Sequence, residues 1–193
     1  MFAHRSCLTR ILFALMYAFV KHWGQFRRCD PCMPYIFHPI LTAWIVWKYS
    51  ELTGEDRARA VIVALLHDVL EDTHTTYRSL VRWFGVEIAD AVRAMSHDTT
   101  LVLQKTSKRS VLQEKTSRLA QQPIWARVVE PAGRLANLLE PGEWGPEKLY
   151  TYASDSVYTC KLLTLPACKL VARLQDEQDL VYVKYVFWRA CNQ

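Results

Sequence analysis

His67-Asp68-Val69-Leu70-Glu71-Asp72, directly behind the apolar run Ala64-Leu65-Leu66, is the stretch on which the reading of this chain turns. A helix of 3.6 residues per turn stacks His67 with Glu71 and Asp68 with Asp72, and the four side chains fall within an arc of roughly 140°. Four ionisable groups on one side of an otherwise apolar helix are costly unless they are paired or hold a metal. Glu71 and Asp72 alone fit a solvated helix end equally well. His67 and Asp68, adjoining the apolar run, fit that account less well. An adjacent imidazole and carboxylate form a borderline-hard ligand pair suited to Mn2+, Fe2+ or Zn2+.

Helical patterning dominates on either side of this stretch, and period-2 alternation is scarce. One helix is expected over residues 55–71, apolar almost all round at 61–66 and therefore central. Upstream, helices are expected over 9–23 and 38–53, the second ended by Gly54. Residues 27–39, with Pro31, Pro34 and Pro39, read as a loop. Downstream, short helices are expected over 75–84 and 86–95, separated by Gly85. The polar stretch 98–122 reads as a mobile loop and a surface helix. A helix over 123–139 carries Pro131 and Gly133, both poor interior residues. After a turn at Pro141-Gly142, helices over 146–165 and 176–189 complete an all-α bundle. No repeat or boundary divides the chain, so residues 1–193 read as one domain.

The composition narrows the class. Just over half of the 193 residues are hydrophobic, with seven Trp and only six Gly, which fits a packed globular protein. The net charge of +5 is compatible with an anionic ligand, but no basic run is long enough to track a nucleic-acid backbone. Six cysteines are too few for a disulfide scaffold. Cys29 and Cys32 form a C-x-x-C without a second pair at zinc-finger spacing, so reduced thiols of a cytoplasmic protein are the better reading. The apolar run 11–20 behind Arg5 and Arg10 has the look of an export signal, but no small-residue cleavage site follows it. It is also shorter than the about 20 residues that span a bilayer. A buried first helix is expected, with no membrane association.

Two further elements join the central segment. Pro34-Tyr35-Ile36-Phe37-His38-Pro39 places a histidine at a helix start after a proline-stiffened loop, and Arg27-Arg28 offers bidentate donors for phosphate. Alone, His38 would pass for a cap and the arginines for surface charges.

Together with Lys21-His22-Trp23-Gly24-Gln25 and Ala64-Leu65-Leu66-His67-Asp68-Val69-Leu70-Glu71-Asp72-Thr73, these motifs resemble the HD-type hydrolase domain of RelA/SpoT proteins and their single-domain relatives, the small alarmone hydrolases. Order and spacing match from about residue 10 to residue 160. The resemblance implies an HD-domain helical bundle that holds one Mn2+ and removes the 3′-pyrophosphate of the guanosine alarmones (p)ppGpp of the stringent response. By matching motif, His38, His67 and Asp68 look like metal ligands, and Glu71 and Asp72 like the acidic pair that positions or deprotonates water. Arg27 and Arg28 take the place of a basic pair near the nucleotide, and Asn137 and Tyr152 match nucleotide contacts. With 193 residues the chain is expected to carry no synthetase. Some relatives of this size act as antitoxins to a cognate toxic synthetase and others remove pyrophosphate from tRNA ends, so both partners come with the resemblance.

One position departs from the pattern. The family's fourth metal ligand is an aspartate in a run resembling L-A-D-[KR]-L-x-N-L. Here the run is Pro131-Ala132-Gly133-Arg134-Leu135-Ala136-Asn137-Leu138, with Gly133 in the aspartate's place and Glu130 and Pro131 in place of the usual basic and aliphatic residues. Three readings are open at this point. The remaining ligands hold metal, helped by water or by a carboxylate such as Glu130. Alternatively, the substitution suppresses turnover in an otherwise active lineage. The third reading is a degenerate domain that binds nucleotide or a partner without catalysis. Retention of His67, Asp68, Glu71 and Asp72 favours activity.

Overall fold

The computed structural model describes residues 6–27, 30–97, 108–140, 144–165 and 168–191. In chain order its elements are α1 (Cys7–Lys21), β1 (Phe26–Arg27), β2 (Asp30–Pro34), α2 (Phe37–Tyr49), α3 (Gly54–Leu66) and α4 (Val69–Asp72). Then follow α5 (Tyr77–Phe84), α6 (Val86–Met95), α7 (Lys108–Ala120), α8 (Ile124–Arg127), α9 (Val129–Leu139), α10 (Pro146–Leu162) and α11 (Lys169–Cys191). The class is all-α, with one small antiparallel strand pair.

Helix α3 is the central element. Glu55 and Asp56 sit in its first turn, where negative charge complements the helix dipole, and all residues from Ala60 to Leu66 are buried. It packs against α1, α2, α6, α8 and α9. Ile62, Val63 and Leu66 meet Ile45, Val46 and Leu135 in one apolar core. Helix α1 begins at Ser6, whose hydroxyl accepts from the Thr9 amide at 3.3 Å. It buries Arg10, Ala14 and Ala18, while Leu8, Leu12 and Met16 on its other side are exposed, so the expected burial holds for one face only. No helix among the described residues is long and apolar enough to cross a membrane.

The structure corrects several expected boundaries. The central helix does not run through to Glu71 but ends at Leu66. His67 Nδ1 lies 2.7 Å from the Ala64 carbonyl, the group that would accept from the Asp68 amide in a continuing helix. The backbone stays right-handed through His67 and Asp68 and re-forms as α4. The expected loop over 27–39 holds β2 and, through Arg27, the end of β1, with Phe26 opposite Pro34 and Arg27 opposite Asp30. Two strands alone leave outer edges that need no ladder bond, which is why a proline-rich segment can pair at all.

Further on, the 123–139 helix breaks at Val128 into α8 and α9 rather than at Pro131. Pro131 falls in the first turn of α9, where an amide has no intrahelical partner. The last helix starts at Lys169 instead of near Asp176, because Leu170 and Leu174, one turn apart, are both buried. Helix α7 is less superficial than its composition suggested, since Val111, Thr116 and Leu119 are buried.

Candidate active site

Histidines from two elements converge on one carboxylate. His38 enters from the start of α2, held by the chain reversal at Tyr35, whose carbonyl accepts the His38 amide at 3.0 Å. His67 and Asp68 stand at the α3–α4 break. His67 Nε2 is 3.0 Å from Asp68 Oδ2 and His38 Nε2 is 3.8 Å from the same oxygen. A ligand atom from each of the three lies within 4.8 Å of the others.

Both rings are oriented from behind. His67 Nδ1 donates to the Ala64 carbonyl, and His38 Nδ1 lies 3.2 Å from Glu140 Oε1. Each Nε2 is thereby turned towards Asp68, the arrangement in which an imidazole offers its lone pair to a cation.

Burial works against the Asp68 carboxylate, but His67 foremost, then His38 and the Tyr35 hydroxyl, outweigh it and hold Asp68 well below the usual carboxylate range. Burial likewise works against a charged His67, and Asp68 reverses the balance and raises its pKa. For His38, burial prevails and lowers it. The Tyr35 hydroxyl sits 2.7 Å from Asp68 Oδ2 and 2.8 Å from Asp72 Oδ2. Burial, then the two carboxylates, push its pKa up, so it remains a donor. Tyr35 is itself positioned by the His22 ring stacked on it at 4.8 Å, while Gln25 donates to the Asp72 carbonyl at 2.6 Å. That is the physical work of the Lys21-His22-Trp23-Gly24-Gln25 motif.

Glu71 and Asp72, both exposed, open onto the same cleft, a cavity of about 280 Å³. The Glu71 carboxylate accepts from the His97 amide at 2.5 Å. On the opposite wall, Arg27 Nη2 donates to Asn137 Oδ1 at 2.9 Å, and Asn137 Nδ2 donates to the Tyr152 hydroxyl at 2.9 Å. Arg27 also forms an ion pair with Glu140. The Trp144 ring meets Tyr152 edge-on at 4.8 Å. Of the residues singled out in the sequence, His38, His67, Asp68, Glu71, Asp72, Arg27, Asn137 and Tyr152 thus line one cavity. Arg28 lies outside the described residues.

Gly133 is in the expected place but brings no ligand. A Cβ at that position would lie 3.7 Å from His67 Nε2. The donor set therefore fits a divalent cation at three positions, with a gap at the fourth. Glu130 does not fill it. Its carboxylate is engaged by Lys115 Nζ and by Arg134 Nε, each at 2.9 Å. Burial opposes its charge, but Lys115 and Arg134 outweigh burial and bring Glu130 down to about 2.

Tyr35, Lys115, Arg134 and Glu140 were not singled out in the sequence. Tyr35 lay within a motif already quoted, whereas Lys115 sits in a polar stretch where nothing marks one lysine above its neighbours. Lys115→Met should destabilise the protein by roughly 1–3 kcal/mol, since the buried Glu130 carboxylate loses one of its two cationic partners and keeps only Arg134. Adding Glu130→Leu should deepen that loss, because Arg134 is then left as a buried charge without its carboxylate. Urea unfolding of the single and double variants measures both, and equal stabilities of wild type and Lys115→Met would contradict the pairing.

No protein-family model matches the chain. Over 152 residues it is 31% identical to a guanosine-3′,5′-bis(diphosphate) 3′-pyrophosphohydrolase MESH1 of Danio rerio, covering 76% of this chain and 80% of that protein. It is 32% identical over 155 residues to a guanosine-3′,5′-bis(diphosphate) 3′-pyrophosphohydrolase of Spiroplasma citri, of whose length the match spans only 20%. A solved structure described as a metazoan ortholog of SpoT that hydrolyzes ppGpp superposes with a TM-score of 0.71 at 25% identity, covering 86% of this chain and 92% of the other. With identity above 30% across four fifths of the Danio rerio protein, the chain belongs to the family of guanosine-3′,5′-bis(diphosphate) 3′-pyrophosphohydrolases related to MESH1 and SpoT.

Proposed function

We propose that this chain is a single HD-type domain that removes the 3′-pyrophosphate of (p)ppGpp, with Mn2+ as its metal. The observation that carries the reading is the convergence of His38, His67 and Asp68 beside Glu71 and Asp72 in one cleft whose far wall holds Arg27, Asn137 and Tyr152. Among the described residues, Cys7, Cys32, Cys160 and Cys168 are thiols rather than halves of disulfides, which accords with action in the reducing cytoplasm.

His38 and His67, through Nε2, and Asp68, through its carboxylate, would hold the metal. Bound there, a divalent ion lowers the pKa of water and offsets charge on phosphoryl oxygens. The protein's own groups do the rest. Glu71, exposed to the cleft and steadied by the His97 amide, accepts the proton of the attacking water. Asp72, tied to Tyr35, keeps the acidic side of the cleft in register with Asp68. The ester bond between the ribose 3′ oxygen and phosphorus breaks, the water oxygen stays with the departing pyrophosphate, and the proton taken up by Glu71 is returned to the 3′ oxygen of the leaving nucleotide. Arg27 holds the substrate's phosphates and Asn137 and Tyr152 the nucleoside, so binding energy orients the ester towards Glu71.

Pyrophosphate release from ppGpp with Mn2+ tests this directly. Turnover that disappears on chelation and returns with Mn2+ is expected. Retained ppGpp binding without release at any Mn2+ concentration would instead favour a nucleotide-binding domain that has lost turnover, the reading that Gly133 motivates.

A further inference from the structure

The aspartate missing at position 133 costs the cluster both a ligand atom and a negative charge. A second carboxylate on the same helix stands close by. Glu140 caps the C-terminus of α9, seven residues beyond Gly133, so the two positions share one face of the helix. Its side chain is only 6% exposed. One oxygen lies 3.2 Å from His38 Nδ1 and the other pairs with Arg27. It approaches His38 from the edge opposite Nε2, so in this geometry it is no ligand. A carboxylate in that place does two things to an imidazole. It fixes the tautomer with the proton on Nδ1, and it makes Nε2 a stronger donor.

We infer that Glu140 is a positioning residue that, through His38, makes up part of the charge lost at Gly133, while its second oxygen ties Arg27 to the same scaffold. This rests on the metal-site reading above and extends it to a residue outside the ligand set. Without Glu140 the His38 ring loses the partner that turns its Nε2 to Asp68, and Arg27 loses its buried counter-ion. A three-ligand site is sensitive to the basicity of each donor, so the effect should appear first in metal affinity.

The test titrates the purified full chain with Mn2+ and follows free Mn2+ by its electron paramagnetic resonance signal, without substrate. Glu140→Gln keeps the shape and removes the charge, and should weaken Mn2+ binding about 10–100-fold, the range for partners that orient a metal-bound histidine. Glu140→Asp, which keeps the charge but withdraws it, should lie between Glu140→Gln and wild type. A purely structural role would change the melting temperature of the metal-free protein and leave affinity alone. Wild-type affinity in a folded Glu140→Gln overturns the inference. If Glu140→Gln does not fold, wild-type affinity in Glu140→Asp overturns it. A wild-type chain that takes up no Mn2+ would bring down the metal-site reading itself, a different result from either.

Discussion

Asp68→Asn is expected to abolish pyrophosphate release and Mn2+ uptake together while leaving the fold in place. Asp68 is the only carboxylate of the three-residue cluster, and its Oδ2 is the atom on which His67 Nε2, His38 Nε2 and the Tyr35 hydroxyl converge. Asparagine preserves the volume, so packing against α3 and α4 survives. It removes the negative charge that a cation needs between two neutral imidazoles. Metal-derived stabilisation of a phosphoryl transition state is worth several kcal/mol, which at about 1.4 kcal/mol per tenfold corresponds to at least roughly a thousandfold in rate. Tyr35 keeps Asp72 as an acceptor, so the surrounding contacts lose less than the cluster does. Product release measured across a Mn2+ series, together with Mn2+ titration of the metal-free protein, reads the two losses separately. Turnover comparable to wild type in the folded variant would show that the chemistry lies elsewhere in the cleft.

The parts of the site that were legible from the residues themselves are those whose chemistry is local, whereas Arg27, Asn137 and Tyr152 were legible only through the motif resemblance. His67, Asp68, Glu71 and Asp72 are close in the chain, and their spacing against an apolar run carries meaning by itself. His38 became legible because prolines mark the segment that presents it. Lys115 and Glu140 were not legible, because Lys115 reaches the cavity from α7 and Glu140 backs His38 from the end of α9. Only the fold decides that Lys115 meets Glu130, or that Glu140 stands behind His38. The same division holds for the elements. The central position of α3 follows from its apolar circumference. Its end does not, because a side chain, His67 Nδ1, takes the carbonyl that the next turn would have used. Pro131 is tolerated in α9 for a related reason. Proline breaks a helix interior but not its first turn, and position along a helix is set by where the helix begins.

Gly133→Asp is expected to tighten Mn2+ binding and raise turnover, and the sign of its effect on stability should depend on the metal. The position can take a side chain: an added Cβ would sit 3.7 Å from His67 Nε2 and 3.9 Å from Thr42 Cγ2, both ordinary van der Waals contacts. Within α9 the exchange also removes a glycine, which costs a helix interior roughly 1 kcal/mol relative to alanine. The carboxylate would face the cluster, adding a fourth donor and a second negative charge. A donor added to the ligand set should act at least as strongly as a residue that only orients one, so affinity should rise by about 10–100-fold or more. In the metal-free protein, the same carboxylate is partly buried beside Asp68, and like charges held close oppose one another. The metal-free variant should therefore melt below wild type. With Mn2+ well above its dissociation constant the order should reverse, since a ligand bound only by the folded state stabilises it in proportion to the logarithm of its saturation ratio. Melting curves with and without Mn2+ show whether the two lines cross. Parallel shifts, with no gain in affinity, would mean that the space beside His67 is not the place of a lost ligand, and that Glu140 and the three remaining donors make up the whole of the site.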